Sequence, residues 1–190
     1  MGTVVSVRFP LGRYHATPWD RNVNEGTVEW PPSPWRILRA LVSTWYTRWP
    51  ELPAPVLDDL LQALGDPPAY WTAPTKPGHT RHYLPDLAHR RGGGGGTDLA
   101  LDPFLSLPRE AESHLLIRWE ADLSGEQREV LGKLAELVPY LGRAEAVCEM
   151  SLLDGDVQPD DTWWRPGTHG TETVRLLAPT VPVRRPVLEI

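Results

Sequence analysis

A helical pattern of apolar residues between two prolines is the feature that most limits how this chain can fold. Ser33 followed by Pro34 is a common start of a helix, because serine caps the first turn and proline suits its first position. Apolar residues then recur three and four positions apart until Pro50, at Ile37, Leu38, Leu41, Val42, Trp45 and Trp49. The sequence therefore predicts an amphipathic helix from Pro34. Its polar face carries Arg36, Arg39, Ser43 and Thr47.

Shorter patterns on both sides of this helix predict strands and further helices. Val5, Val7 and Phe9 alternate with polar residues, as in a half-buried strand. Strands are also predicted at 70–73, 80–84, 99–105 and 115–120, and a short helix at 55–64. A capping box of Ser124 and Gln127 starts a helix that ends before Pro139. A last strand follows, in which Ala146, Cys148 and Met150 alternate with Val147, Glu149 and Ser151.

The order of these elements is strand, helix, strands, helix, strand. This order predicts an α+β fold of the ferredoxin-like (RRM-like) type, βαββαβ, with long loop insertions. We expect residues 1–155 to form this domain, with Gly92–Gly96 in a flexible loop inside it. Residues 156–190, which are rich in proline and contain the sequence TWWRPG, predict an extended arm or the start of a linker to a further domain.

Hydrophobicity and cysteine content limit where the protein works. No run of about 18 apolar residues exists that would span a bilayer, and the first residues lack the pattern of a secretory signal. The single cysteine, Cys148, cannot form an internal disulfide. A cytoplasmic location with no membrane partner is therefore expected.

Charge is distributed unevenly along the chain. The net charge is −6, yet residues 1–48 hold six arginines against three acids, whereas residues 98–161 hold five basic residues against fifteen acids. Such segregation can present a positive face to phosphate even on an acidic chain. Seventeen of the nineteen basic residues are arginine, which favours bidentate phosphate contacts and stacking on bases. A preference of the genome for arginine codons would explain the same bias. The acids between Asp98 and Asp161 predict a solvated surface.

The segment between Arg13 and Trp30 mixes aromatic, amide, histidine and arginine side chains. Single-stranded RNA is bound by this combination, since bases stack on aromatic rings and arginines contact phosphates. A structural loop is the alternative, above all for Trp30 and Trp35, which could cover the adjacent helix. The residues predicted to contact RNA here are Arg13, Tyr14, His15, Thr17, Trp19, Arg21, Asn22 and Asn24.

A second basic and aromatic segment, GHTRHYLPDLAHRR, offers Arg81, His82 and Tyr83 as RNA contacts. A solvated loop is the alternative. Three histidines could also bind a metal, but no acid pair or CxxC accompanies them, so we expect no metal or cofactor. Metal-independent RNA cleavage remains open, with His15 or His82 as a proton-transfer group.

Four segments together resemble the N-terminal half of a known family. FPLGRYHATPW, VNEGTVEWPPSPWRILRAL, GHTRHYLP and YLGRAEA look like the type I-G (formerly I-U) CRISPR-associated Csb-two family. That family fuses a Cas-five-like module to a Cas-six-like module, and both modules are ferredoxin-like members of the RAMP superfamily. The resemblance covers residues 4–153 in segments.

The resemblance implies an antiviral role in a type I-G Cascade surveillance complex. The Cas-five-like half would bind the 5′ handle of the crRNA and cap a filament of Cas-seven-like backbone subunits, next to the large subunit and to target DNA near its flanking motif. The fused Cas-six-like half would cut precursor RNA, and because this chain ends at Ile190 we expect no cleavage from it. The handle contacts that the resemblance implies are the segment 13–25, Arg36, Arg39, Gly142 and Arg143. A cap that binds protein alone is a further alternative.

Overall fold

The computed structural model describes residues 2–22, 25–85, 97–155, 157–167 and 172–189. These residues form seven strands and four helices, which confirms the α+β class. In chain order they are β1 (Thr3–Arg8), β2 (Arg13–Tyr14), α1 (Pro34–Arg48), α2 (Ala54–Ala63), β3 (Ala69–Thr72), β4 (Lys76–Pro85), β5 (Thr97–Ser106), β6 (Leu115–Trp119), α3 (Gly125–Leu137), β7 (Glu149–Leu152) and α4 (Arg185–Leu188).

The larger sheet contains four strands in the order β3-β6-β1-β7, and each pair of neighbours is antiparallel. β1 lies inside it, with Val5 opposite Ile117 of β6 and Leu152 of β7. The predicted strand at Val5, Val7 and Phe9 is confirmed, although Phe9 lies just beyond its end. β7 is shorter than predicted and begins at Glu149, but Ala146, Cys148 and Met150 are all buried as expected.

The two long helices begin at the predicted caps. Ser33 Oγ accepts from the backbone N–H of Arg36, and the apolar positions Ile37, Leu38 and Leu41 are buried. Ser124 and Gln127 form the predicted capping box at α3. α1 and α2 both contact α3, which packs on β7, so the helices and the sheet share one apolar core.

The smaller sheet has the order β2-β5-β4. β4 and β5 pair over ten residues each, from Lys76 opposite Ser106 to Pro85 opposite Thr97. We call this pair the hairpin arm. The glycines predicted to form a loop, Gly92–Gly96, lie outside the described residues. The two-residue strand β2 joins the hairpin arm to the body through Arg13 and Tyr14, which pair with Ser106 and Leu105.

The C-terminal segment packs on the body. Tyr70 and Trp164 exchange two backbone hydrogen bonds of 2.8 and 2.7 Å. The backbone N–H of Trp35 donates to the Leu177 carbonyl at 3.0 Å. The Gln62 side chain donates to the Val183 carbonyl and accepts from its N–H. In its described residues, 157–167 and 172–189, this segment contacts the body and contains the short helix α4, which the sequence analysis missed.

A search of the described residues for a bilayer-spanning helix finds none of sufficient length and hydrophobicity.

Candidate nucleic-acid interface

A basic groove runs along the polar face of α1. It has a volume of about 680 Å³, and the connection between α3 and β7 forms its other wall. We call it the α1 groove. At 1.5 Å per residue its two ends, Arg36 and Arg48, lie about 18 Å apart along the helix. The groove is lined by Arg36, Arg39, Ala40, Ser43, Thr44, Thr47, Arg48, Pro139, Tyr140 and Gly142.

Two arginines in this groove keep their guanidinium groups available. Among the described residues, neither Arg39 nor Arg48 has an ion-pair partner, and Arg48 is exposed. Tyr140, which is 43% exposed, faces the same space from the opposite wall. Arginines without a carboxylate partner, next to an exposed aromatic ring, can bind phosphate while a base stacks. The sequence analysis missed Arg48 and Tyr140, although Arg48 continues the polar surface of the predicted helix.

Arg36 lines the groove but is already paired with the chain itself. Its Nε donates to Glu29 Oε1 at 2.7 Å, and its Nη2 donates to Glu29 Oε2 at 3.2 Å and to the Thr17 carbonyl at 2.8 Å. Glu29 is buried and also accepts from the Ser33 N–H at 2.8 Å. Although burial opposes the charged form, the hydrogen bond to Glu29 raises the pKa of Arg36. Arg36 therefore lies on the polar face of α1 as predicted, but it is half-buried and both carboxylate oxygens of Glu29 already accept from its guanidinium.

Arg13 and Arg143 converge on one carboxylate. Arg13 Nη2 lies 3.2 Å from Asp102 Oδ2, and Arg143 Nη1 lies 3.1 Å from Asp102 Oδ1. His15 Nδ1 lies 3.2 Å from Asp102 and 3.0 Å from Glu145. We call these five residues the Asp102 cluster. Asp102 was predicted to lie on a solvated face. This prediction is wrong, because Asp102 pairs with Arg13 and Arg143, which come from segments that are distant in the sequence.

The Asp102 cluster contains the one group of potential metal ligands found in the described part of the chain. The ligand atoms of His15, Asp102 and Glu145 all lie within 4.8 Å of one another. Arg13 and Arg143 already place two positive charges on Asp102. A cation would have to compete with both, so we interpret the cluster as an ion-pair network that ties β2, β5 and the α3–β7 connection together.

Gly142 makes the close approach of that connection possible. Its φ is +98°, and a Cβ at this position would lie 2.4 Å from the His15 carbonyl oxygen. The same carbonyl accepts from the Arg143 N–H at 2.9 Å. Glycine is therefore required both by backbone conformation and by space. Of the predicted contacts, Gly142 lines the α1 groove, and Arg143, the next residue, belongs to the Asp102 cluster.

Tyr14 and His15 are buried, which contradicts the prediction that they face a ligand. The Tyr14 ring packs 5.1 Å from Phe9 and 5.0 Å from Trp30, and burial raises its pKa well above the ordinary value. Neither side chain is exposed at all. In this conformation Tyr14 is a core residue. His15 is a structural partner of acids, and its Nε2 is enclosed without a hydrogen-bond partner among the described residues.

The rest of the first predicted segment lies at the surface. Trp19 is 70% exposed, and Thr17 is half-buried under Arg36. Arg21 and Asn22 are exposed, and both contact Glu25: Arg21 through an ion pair of 3.3 Å and Asn22 through its side-chain amide at 3.0 Å. The Asn22 backbone N–H also donates to this carboxylate, and these bonds lower the pKa of Glu25. Asn24 lies outside the described residues.

Arg81, His82 and Tyr83 lie on the hairpin arm. All three are exposed, with Tyr83 at 64%. By the strand register, Arg81 and Tyr83 share a face with Leu101 and Leu99, whereas His82 lies on the face that carries Asp102. The structure does not bring this trio into the α1 groove. The trio lies next to the middle of the hairpin arm, where Thr80 pairs with Asp102 of the Asp102 cluster.

No protein-family model matches this sequence, and a search of curated proteins found no significant match.

Proposed function

We propose that this chain is the Cas-five-like, crRNA 5′-handle-binding subunit of a type I-G Cascade surveillance complex in cytoplasmic antiviral defence. In this role it caps the filament of Cas-seven-like backbone subunits, contacts the large subunit and lies near the flanking motif of target DNA. The observation that carries the proposal is the α1 groove, because Arg39 and Arg48, which have no ion-pair partner among the described residues, line one wall.

The strand order supports the proposal at the level of fold. β1, α1, β3, β6, α3 and β7 follow one another in the order βαββαβ, and the sheet order β3-β6-β1-β7 is the order expected of a ferredoxin-like sheet. α2 and the hairpin arm are then insertions into residues 1–155. The segment 156–190 serves as an arm of this domain or as the start of a linker to a Cas-six-like module.

Different arginines have different roles in this proposal. Arg39 and Arg48 contact RNA phosphates, while Tyr140 and Trp19 offer stacking surfaces. Arg36 is a positioning residue, since it joins α1 to Glu29 and to the Thr17 carbonyl. The Arg81–Tyr83 trio forms a second contact surface on the hairpin arm.

The test measures binding of the full chain to a crRNA with its repeat-derived 5′ handle and to a crRNA with a scrambled handle, over a series of salt concentrations. Arg39→Gln and Arg48→Gln each remove one phosphate-binding charge, so each should weaken binding and reduce the salt slope by about 0.7. Arg175→Gln is the matched control, because Arg175 is exposed in the C-terminal segment outside the groove. Equal slopes for all three variants would refute the proposal.

The same experiment separates the alternatives. New RNA ends with 2′,3′-cyclic phosphate that disappear in His82→Ala, or in His15→Ala with stability and RNA affinity retained, would identify an endoribonuclease. Weak RNA binding without handle preference, unchanged in the arginine variants, would favour a cap that binds protein and contacts RNA only incidentally.

A further inference from the structure

A second cleft lies on the other side of the first turn of α1. It has a volume of about 760 Å³ and is formed where the C-terminal segment crosses the body. One wall contains prolines before α1 and before β3, and Tyr70 lies in β3 itself. The other wall contains the TWWRPG sequence, for which the proposed function names no binding partner. We call this space the arm cleft.

Hydrogen bonds hold the two walls of the arm cleft together. The backbone N–H of Trp164 donates to the Tyr70 carbonyl at 2.7 Å, and the backbone N–H of Tyr70 donates to the Trp164 carbonyl at 2.8 Å. Farther along, the Trp35 N–H donates to the Leu177 carbonyl at 3.0 Å. Proline on the body side restricts the backbone further, so the cleft is formed before any partner binds.

The charge of this cleft is negative, whereas the α1 groove is positive. Among the described residues that line it, Asp160, Asp161 and Glu172 are acidic and Arg165 is the one arginine. The Arg165 guanidinium donates to the backbone carbonyls of Pro159 and Asp160, at 2.9 and 3.1 Å, and not to a carboxylate. Within the described residues Asp161 and Glu172 have no ion-pair partner, and both are exposed. A phosphate chain is therefore repelled here, and a cationic partner is attracted.

The uncharged lining suits a cationic side chain with a long apolar stem. The half-buried Trp164 provides aromatic surface, while Trp163 and Tyr70 line the cleft as buried residues, and the Tyr70 hydroxyl has no hydrogen-bond partner among the described residues. The same chain already binds an arginine in such a setting. The Arg185 guanidinium lies 5.0 Å from the Trp45 ring while its Nε donates to Asp58 at 2.8 Å.

From these observations we propose that the arm cleft binds an extended segment of a partner protein that carries arginine or lysine. The cation stacks on the tryptophan surface and pairs with Asp161 and Glu172. Prolines in the partner segment would suit the aromatic walls, because an extended proline-rich chain loses little conformational entropy on binding.

The test uses the full chain and a fluorescently labelled peptide, Gly-Pro-Arg-Pro-Pro-Arg-Pro-Gly. The matched peptide contains citrulline in place of arginine, which removes the charge and keeps the shape. Fluorescence anisotropy should give saturable binding that weakens roughly fivefold or more with citrulline, and to a similar extent in the double variant Asp161→Asn/Glu172→Gln.

The control is Glu126→Gln/Glu129→Gln, which removes two exposed acids from α3. Equal weakening by this control would mean diffuse charge attraction, and equal binding of the citrulline peptide would mean that charge is irrelevant; either result overturns the proposal, as does the absence of binding. Handle-RNA affinity should not change in Asp161→Asn/Glu172→Gln, so failure here is distinguishable from failure of the RNA-binding role. A fall in RNA affinity in this double variant would place RNA, and not protein, in the cleft.

Discussion

Gly142 is a single position at which backbone conformation and packing act together. Its substitution by alanine would place a methyl group 2.4 Å from the His15 carbonyl at a φ of +98°. We expect Gly142→Ala to lower the free energy of unfolding by about 3 kcal/mol, measured by urea denaturation. Gly132→Ala is the control. It lies inside α3 with its nearest neighbour 3.9 Å away, and should raise stability by about 1 kcal/mol. If Gly142→Ala lowers the free energy of unfolding by less than about 1 kcal/mol, the turn can move away from His15.

The stability of the protein should depend on pH through the thiol of Cys148. Burial, and to a smaller extent the charge of Glu149, raises the pKa of Cys148 to about 12, whereas a cysteine in the unfolded chain has a pKa of about 8.5. The unfolded state therefore loses its proton first, and this group should lower stability as the pH rises from about 9 to about 12. In Cys148→Ala the decline should be shallower, as measured by urea denaturation across this range. Rapid reaction of the folded thiol with a disulfide reagent at neutral pH would contradict the assignment.

The residues whose positions in the fold could be predicted from the sequence are those that depend on local spacing. Arg39 follows from the polar face of a periodic helix, and Gly142 from a turn. Tyr14 and His15 could not be placed, because their burial depends on Phe9, Trp30 and Asp102, which come together only in the folded chain. Polar sequence composition alone does not distinguish a surface residue from the partner of a buried charge.

At the scale of elements, local signals were sufficient where an element carries its own cap. α1 and α3 begin at Ser33 and Ser124 as predicted. β2 was missed because its two residues become a strand only by pairing with β5, about ninety positions later. α4 was missed because four residues show no periodicity, and its stability depends on contacts with α1 and α2.

The C-terminal segment can be tested as an element that docks on the body. Arg185 donates to Asp58 and to Glu189 and lies over Trp45, and the hydrogen bond to Asp58 is the main reason why its pKa is raised. In Arg185→Gln we expect amide hydrogen exchange to accelerate roughly fivefold to tenfold in residues 181–189, while α3 is unchanged.

Arg184→Gln is the matched control for that experiment, because the neighbouring Arg184 is exposed. Equal acceleration in α3 would mean that the segment unfolds together with the core, and the docking interpretation would be wrong.

At the scale of the whole molecule, the chain separates its charges onto different surfaces around one helix. Pro34 in the first turn of α1 lines the negative arm cleft, and Arg36 in the same turn lines the positive α1 groove. The net charge of −6 conceals this arrangement. One short stretch of helix therefore lies between the surface proposed for RNA and the surface proposed for a protein partner.

Shortening the hairpin arm tests whether RNA binding can be weakened while the stability of the fold is kept. Tyr83 and Leu99, opposite each other on β4 and β5, are 64% and 50% exposed, so the outer part of the arm buries little apolar surface. Replacing residues 83–99 by Asn-Gly would join His82 to Ala100, which already pair, through a favourable two-residue turn.

We expect the trimmed chain to unfold cooperatively with a free energy of unfolding within about 1 kcal/mol of that of the full chain, because the Asp102 cluster and the core are retained and a shorter connection costs less entropy to close.

Affinity for handle RNA should fall, and Tyr83→Ala in the intact arm should reproduce part of that fall, because stacking on an aromatic ring stabilises binding by about 1–3 kcal/mol per base. Urea denaturation and RNA titration of the same samples measure both quantities. A decrease in stability above about 2 kcal/mol would mean that the arm belongs to the folding unit, whereas unchanged RNA affinity would confine RNA contacts to the body of the protein.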